Sequence, residues 1–350
     1  MRTLLIYLTT ILIVLLLSYN AQKRNKRGTF IFAAVIISLL AGLRAETVGI
    51  DTVHYIEKFQ YIANGQPKLA YGLEETFKGI CAVLLKIWNN SSFLFLLFAL
   101  VTNVLIFKRL WDFKDYISLS WASIVYFGVF YFMTFNILRQ FVAIAIVFFA
   151  TRYVSQRKYL KFLIFVAIAT LFHKSALLGI LFIALDLFAW GYLTPKQKKI
   201  VSALLILGPA AIMLFGTAII GRYVSYLSNA SWNIGLMLFL KMFLFVCTAW
   251  LIQPEDGMAD GNTAYKITTT KTYYLVGIFI TMLGYIFPYM DRIGIYFYLF
   301  EAVFVGAVMK SSKINSVVKL LMGILYLFLL YTAITGNAQG QGNYLFVWQA

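Results

Sequence analysis

Charge is the scarcest property of this 350-residue sequence: 12% of the residues are Asp, Glu, Lys or Arg, and 13 are acidic. A soluble chain of this length needs a charged surface around its core, so the shortage excludes a soluble globular protein. Cysteine is nearly absent. Cys81 and Cys247 both lie in apolar stretches, which excludes a disulfide framework and a thiolate metal site. With His54 and His173 as the only histidines, no metal centre and no cofactor are expected. No internal repeat is visible. What the chain has instead is 62% hydrophobic and 18% aromatic residues. They fall in apolar runs of roughly 17 to 21 residues, each long enough to cross about 30 Å of hydrocarbon. The expected fold is all-α: a polytopic transmembrane helical bundle occupying 1–350 as a single integral membrane domain. The run at 4–18 lacks a basic leader and a small-residue cleavage site, so it reads as the first span and not as a removed signal peptide.

The net charge of +17 reports orientation and not nucleic acid, because the basic residues gather in short loops between apolar runs. QKRNKRG (22–28), TRYVSQRKYLK (151–161), TPKQKK (194–199) and KSSKINSVVK (310–319) are the basic loops expected on the cytoplasmic side. Parity then requires 77–88, which is short and carries Lys78 and Lys86, to be an interfacial or re-entrant helix within a long extracytoplasmic segment, 44–91. The spans are then 4–18, 30–43, 92–107, 117–133, 136–152, 160–173, 176–193, 200–220, 233–252, 273–289, 292–309 and 316–334. That is about twelve, within a range of about 11 to 14, with both termini outside. NAQGQGN, 337–343, reads as a mobile tail.

On this topology the polar residues that orientation does not explain converge on the outer face. Arg44, Asp51, His54 and Glu74 lie in the long segment, Arg139 and Gln140 open an inward-going helix, and His173 with Lys174 occupies a hairpin. Asp291 and Arg292 lie in a later outer loop, and Arg222 in another. Each has a plainer reading. Arg139 can snorkel to headgroups, Asp51 can cap the helix after it, His173 can be an interhelical hydrogen-bonding residue, and Asp291 can neutralise Arg292. Arginines gathered where the positive-inside bias leaves few charges point to an anionic ligand, which helix N-termini also favour. Asp51 and Tyr55, four residues apart, share a helix face.

Two stretches carry a family resemblance. RAETVGIDTVHYIEKF, 44–59, resembles the R, G-x-D-T-x-x-Y-x-x-x-F signature of EpsG-type membrane proteins, relatives of the Wzy-like polysaccharide polymerases. LRQFVAIAIVFFATRYVSQRKYLKFLIFVAIATLFHKSALL, 138–178, is similar to their L-R-Q-x-x-A helix, basic loop and A-x-x-F-H-x-S segment. DRIGIYFYLF, 291–300, resembles a later R-x-x-x-Y block, and Glu74 of LEETF matches an E-x-G-F element in which Thr76 replaces the glycine.

The resemblance implies a GT-C-like fold and an enzyme of the bacterial cytoplasmic membrane. It would polymerise oligosaccharide repeat units carried on undecaprenyl pyrophosphate at the outer leaflet, for O antigen, capsule or exopolysaccharide. Donor and acceptor would both be lipid-linked glycans, with membrane lipid around them and a flippase and a chain-length regulator as further partners. No outer D-x-D is present, so fixed arginines are expected to neutralise the departing pyrophosphate. Arg139, Arg292 and Arg44 are the expected pyrophosphate contacts. Gln140, Tyr55 and Glu74 are expected to bind substrate, and His173 or Asp51 to take the acceptor proton. A lipid-linked glycan transporter or flippase would also carry intramembrane charges, and a polysaccharide O-acyltransferase would share a many-helix bundle.

Overall fold

The computed structural model describes residues 2–189, 261–284 and 289–349. Sequence expectations for 200–220, 233–252, Arg222, Cys247 and the loop 194–199 lie outside them. Two compact units form: Met1–Arg152 with Leu160–Leu178 and Glu301–Ala350, and Tyr153–Tyr159 with Gly179–Phe300.

The first unit is built from α1 (Arg2–Lys23), α2 (Arg27–Gly42), α3 (Thr52–Ala63), α4 (Glu75–Ile87), α5 (Ser91–Trp111), α6 (Leu119–Val125), α7 (Leu138–Ser155) and α8 (Tyr159–Thr170). The second contributes α9 (Leu181–Ala189), α10 (Gly261–Leu283) and α11 (Met290–Tyr298), after which α12 (Glu301–Lys310) and α13 (Ser316–Thr335) return to the first. Every element among the described residues is helical apart from turns and one isolated bridge. Four of these helices, α1, α5, α7 and α13, are long and apolar enough to cross a membrane. α2, with 16 residues, is about 24 Å long and falls short of that length. α10 begins at Gly261, well before the span expected from 273. A helix, α4, forms where the short non-spanning segment was expected, and at 13 residues it reaches about 20 Å.

Within the first unit the usual distribution of polarity is inverted. Leu5, Leu12 and Leu16 of α1 and Leu320, Ile324 and Tyr331 of α13 are exposed, the pattern of helices that face hydrocarbon. Polar side chains are turned inward and tie helices together. The Ser38 hydroxyl donates to Ala99 O at 3.1 Å, Asn103 Nδ2 donates to Ser38 Oγ at 3.1 Å, and the Tyr126 hydroxyl donates to Asn103 Oδ1 at 2.6 Å. Such bonds hold helices where burying apolar surface gives no drive toward association.

The two ends of this unit differ in chemistry. At one end the starts of three basic loops, 22–28, 151–161 and 310–319, meet. Gln22 Nε2 donates to Lys114 O and Ile117 O, both at 2.6 Å, and Lys310 Nζ donates to Lys114 O at 2.9 Å. Asp112 accepts from Arg109 at 3.2 Å and from Arg152 Nε at 3.0 Å. At the other end α6 breaks into a π turn, Tyr126–Phe130, and a 3-10 turn, Tyr131–Phe135. Unwinding frees carbonyls there and delivers the chain to the start of α7.

The expected mobile tail is instead packed into this second end. Gln341 and Tyr344 are buried. The Tyr7 hydroxyl donates to Gln341 O at 2.9 Å, the Tyr344 hydroxyl to Leu40 O at 2.6 Å, and Ala45 N to Leu345 O at 2.8 Å. Composition misled here: the glycines that suggest freedom serve close approach. Gly340, at φ +74°, lies against Gly49, at φ +94°, and Gly49 N donates to Gly340 O at 2.9 Å. A Cβ on Gly340 would sit 2.8 Å from Ile50 N, and one on Gly49 would sit 2.6 Å from Thr52 Oγ1. Both positions therefore need glycine on conformational and steric grounds.

Candidate functional site

The segment 44–59 is mostly scaffold, and what it scaffolds is one face of α3. Arg44 is buried and its guanidinium is taken up by main-chain oxygens. Nε donates to Val48 O and Thr52 Oγ1, both at 3.2 Å, Nη1 to Ala41 O, and Nη2 to Phe135 O at 3.0 Å. The Phe95 and Phe135 rings lie 4.5 and 4.9 Å from it. Burial draws its pKa down to about 10, which still leaves it charged at neutral pH. Thr52 closes the clip by donating to Val48 O at 2.6 Å. Arg44, Gly49 and Thr52 together fix the turn before α3, and Phe59 anchors the helix against Phe95 at 5.6 Å.

Asp51 stands at the N-cap of α3, but its side chain accepts no capping hydrogen bond. Its backbone N–H donates instead to Asn136 Oδ1 at 3.2 Å. The Asn136 amide nitrogen donates to Gln339 O at 3.1 Å and to Gln339 Oε1 at 2.6 Å. One carboxamide thus joins the Asp51 turn, the start of α7 and the segment after α13. The Asp51 carboxylate has no hydrogen-bonding or ion-pair partner among the described residues.

Tyr55, one turn on, accepts from Arg139 Nε at 3.5 Å. Burial raises the Tyr55 pKa, with the Arg139 charge opposing, so the phenol stays protonated at neutral pH. Arg139 also donates Nη1 to Glu74 in an ion pair whose side chains are 16% and 13% exposed. Phe77 lies 5.8 Å from the guanidinium. Glu74 and Phe77 of the weakly matching LEETF element therefore both face Arg139. Thr76, where the family pattern has glycine, donates to Leu171 O at 2.7 Å and so holds this loop to the end of α8. Gln140, the next residue of α7, is buried.

His173 follows Leu171 by two residues, beside the Glu74 loop. Its Nδ1 receives the Ser175 backbone N–H at 3.3 Å and lies 2.6 Å from Ser175 Oγ. A backbone N–H can only donate, so Nδ1 is an acceptor here and the neutral ring carries its proton on Nε2. That arrangement suits His173 to donating a hydrogen bond rather than taking a proton.

Sequence reasoning missed Lys58. It lies three residues after Tyr55 and seven after Asp51, on the same face of α3, half-buried. Its ammonium makes no hydrogen bond or ion pair among the described residues. Burial lowers its pKa, and the charge of Arg139 lowers it further, against Asp51 and Glu57. The available signal was the register Asp51, Tyr55, Lys58, which repeats at helical spacing. His54, by contrast, is exposed on another face.

Asp51, Tyr55, Glu74 and Arg139 are thus brought together, with Arg44 behind them as the support of the turn. Arg292 belongs to the second unit, where it is exposed and lies 5.3 Å from the Tyr289 ring. Chemically the cluster offers two cations, one of them with no bonded carboxylate, beside an open carboxylate. That pairing fits a ligand with both an anionic group and a hydroxyl.

The sequence model of the EpsG family matches residues 27–347, a stretch that contains every one of these side chains. No curated protein and no solved structure matches the chain.

Proposed function

The chain belongs to the EpsG family, and from that premise we propose that it is a membrane glycosyltransferase that polymerises polysaccharide repeat units. Donor and acceptor are oligosaccharides on undecaprenyl pyrophosphate, in a GT-C-like bundle of the bacterial cytoplasmic membrane. The observation that carries the reading is Lys58 beside Arg139, with no carboxylate bonded to it among the described residues. An Arg139–Glu74 ion pair alone is sufficiently explained by stability. A second half-buried cation next to that arginine is costly until an anion joins them. Glu74 and Tyr55 fix the guanidinium by Nη1 and Nε, and its Nη2 edge is left to meet phosphate oxygens.

In the proposed reaction the acceptor hydroxyl attacks the anomeric carbon of the donor. The new carbon–oxygen bond forms as the bond to the pyrophosphate oxygen breaks, and its electron pair leaves with the pyrophosphate. Arg139 and Lys58 offset the charge that develops there. Asp51 takes the hydroxyl proton, since its carboxylate is open while His173 Nδ1 is occupied. His173 and Gln140 orient a sugar hydroxyl or a phosphate oxygen. Arg44 keeps the Asp51 turn in place and does not reach the substrate. The positive-inside rule supports an outer-leaflet site, because the basic loops gather at the opposite end of the unit. A flippase and a chain-length regulator would act before and after this step.

The test is incubation of the purified protein with a synthetic lipid-linked repeat unit, without metal or nucleotide. A ladder of longer lipid-linked products is expected. Substrate that stays unchanged but crosses the bilayer would assign the chain to transport instead.

A further inference from the structure

Beyond its charged face, α3 leads into a concavity of different character. Phe59, Gln60 and Asn64 of this helix and its end, Leu85 of α4, Asn89 before α5 and Ser91 at its start are among the residues that line an open cavity of about 310 Å³. No charged side chain lines it. Phe59 and Leu85 are buried and form its apolar floor. Asn90 is committed elsewhere, since its Oδ1 accepts from Ser92 N at 2.7 Å to cap α5. The carboxamides of Gln60, Asn64 and Asn89 carry no hydrogen bond among the described residues. Exposed amides at helix ends often do no more than solvate those ends. Here three of them converge on one hollow.

A carboxamide supplies both donors and an acceptor and brings no net charge. Three around an apolar floor match a ring of hydroxyls over carbon–hydrogen faces better than they match an ion. The volume is at the lower end of small-ligand sites, which run from about 300 Å³ upward. Gln60 lies nine residues past Asp51, about 13.5 Å along the helix, a span that an oligosaccharide of a few rings covers.

We infer that this cavity is a subsite for an uncharged sugar of the acceptor glycan, a few rings from the one whose hydroxyl attacks; the inference rests on the polymerase reading. The diphosphate then seats on Arg139 and Lys58, and neutral sugar recognition is carried separately by α3, α4 and the start of α5. Selectivity for the repeat unit would reside in Gln60, Asn64 and Asn89.

The experiment uses the full chain in nanodiscs of phosphatidylethanolamine and phosphatidylglycerol, which carry no sugar headgroup. The probe is the free oligosaccharide of one repeat unit, released from the lipid and its phosphates by mild acid and titrated calorimetrically. Saturable binding is expected, weakened about 10-fold by the Asn64→Ala/Asn89→Ala pair, the effect of losing two ordinary hydrogen bonds. Gln60→Ala, on the exposed side of α3, is a separate variant should the pair unfold, and is expected to weaken binding several-fold. Arg139→Ala should leave this affinity unchanged, because the probe lacks phosphate. Absence of saturable binding, or equal affinity in the folded variants, would overturn the subsite. The product ladder tests the polymerase reading without reference to this cavity, so the two can fail separately.

Discussion

The two ends of the first unit use the same residue types and dispose of them differently. At the basic end Asp112 accepts from both Arg109 and Arg152, and Arg109 Nε also donates to Thr151 Oγ1 at 3.0 Å. Phe113 and Phe149 lie 4.3 and 4.2 Å from those guanidiniums. Charge, donors and ring faces there are satisfied by the chain itself. At the other end Arg139 has Glu74 and Tyr55, but Lys58 and Asp51 stand beside it with no bonded partner among the described residues. Two ionisable groups left open within one cluster support the proposal that this is the end that meets a ligand.

The comparison is broken most severely by Arg139→Ala. It should slow growth of the product ladder by about 10³-fold, the scale on which fixed electrostatic donors act, while the protein still inserts and folds. Asp51→Asn keeps the shape and removes the proton acceptor. A rate loss of about 10²-fold is expected, with little change in substrate affinity in the same assay. Lys58→Ala should raise the KM for lipid-linked donor about 10-fold. Its pH dependence has a definite sign. Burial and Arg139 hold Lys58 below the ordinary lysine value, so donor affinity is full below that lowered value and falls as pH rises through it. In Lys58→Arg the fall should move to higher pH. Gly340→Ala tests whether the segment after α13 is packed. At φ +74° and in contact with Ile50 N, an added methyl should cost about 1–3 kcal/mol, read as a lower thermal midpoint; an unchanged midpoint would mean the segment is loose. Smallest is Arg152→Gln at the satisfied end, expected to reduce the yield of inserted protein and leave turnover per molecule within about 2-fold.

Much of this contrast was legible in the sequence, because it depends on composition and local register. The helical class followed from apolar runs, and Asp51, Tyr55, Glu74 and Arg139 were singled out before their contacts were known. Three features were hidden for physical reasons. Arg44 looked like a ligand contact because an arginine next to a helix end reads the same whether its donors meet phosphate or main-chain oxygens; only the unwound Phe135 carbonyl and the Val48 turn decide. The segment 337–343 looked mobile because glycine is enriched both in loose chain and where two backbones touch. Asn136 was passed over because its role lies in joining Asp51 to Gln339, 203 residues further along the chain, a pairing with no local periodicity. Lys58 was legible and missed: it continues the Asp51–Tyr55 register by one turn.

The most direct measurement is the affinity of purified protein for undecaprenyl pyrophosphate, the proposed leaving group, by native mass spectrometry from nanodiscs. Wild type would be compared with Arg139→Ala, Lys58→Ala and Arg152→Ala. The account predicts that the first two variants each weaken binding by about 10-fold or more, as loss of a charge-assisted contact does, and that the third binds as wild type. Equal affinity in all four proteins, or a loss confined to Arg152→Ala, would contradict it.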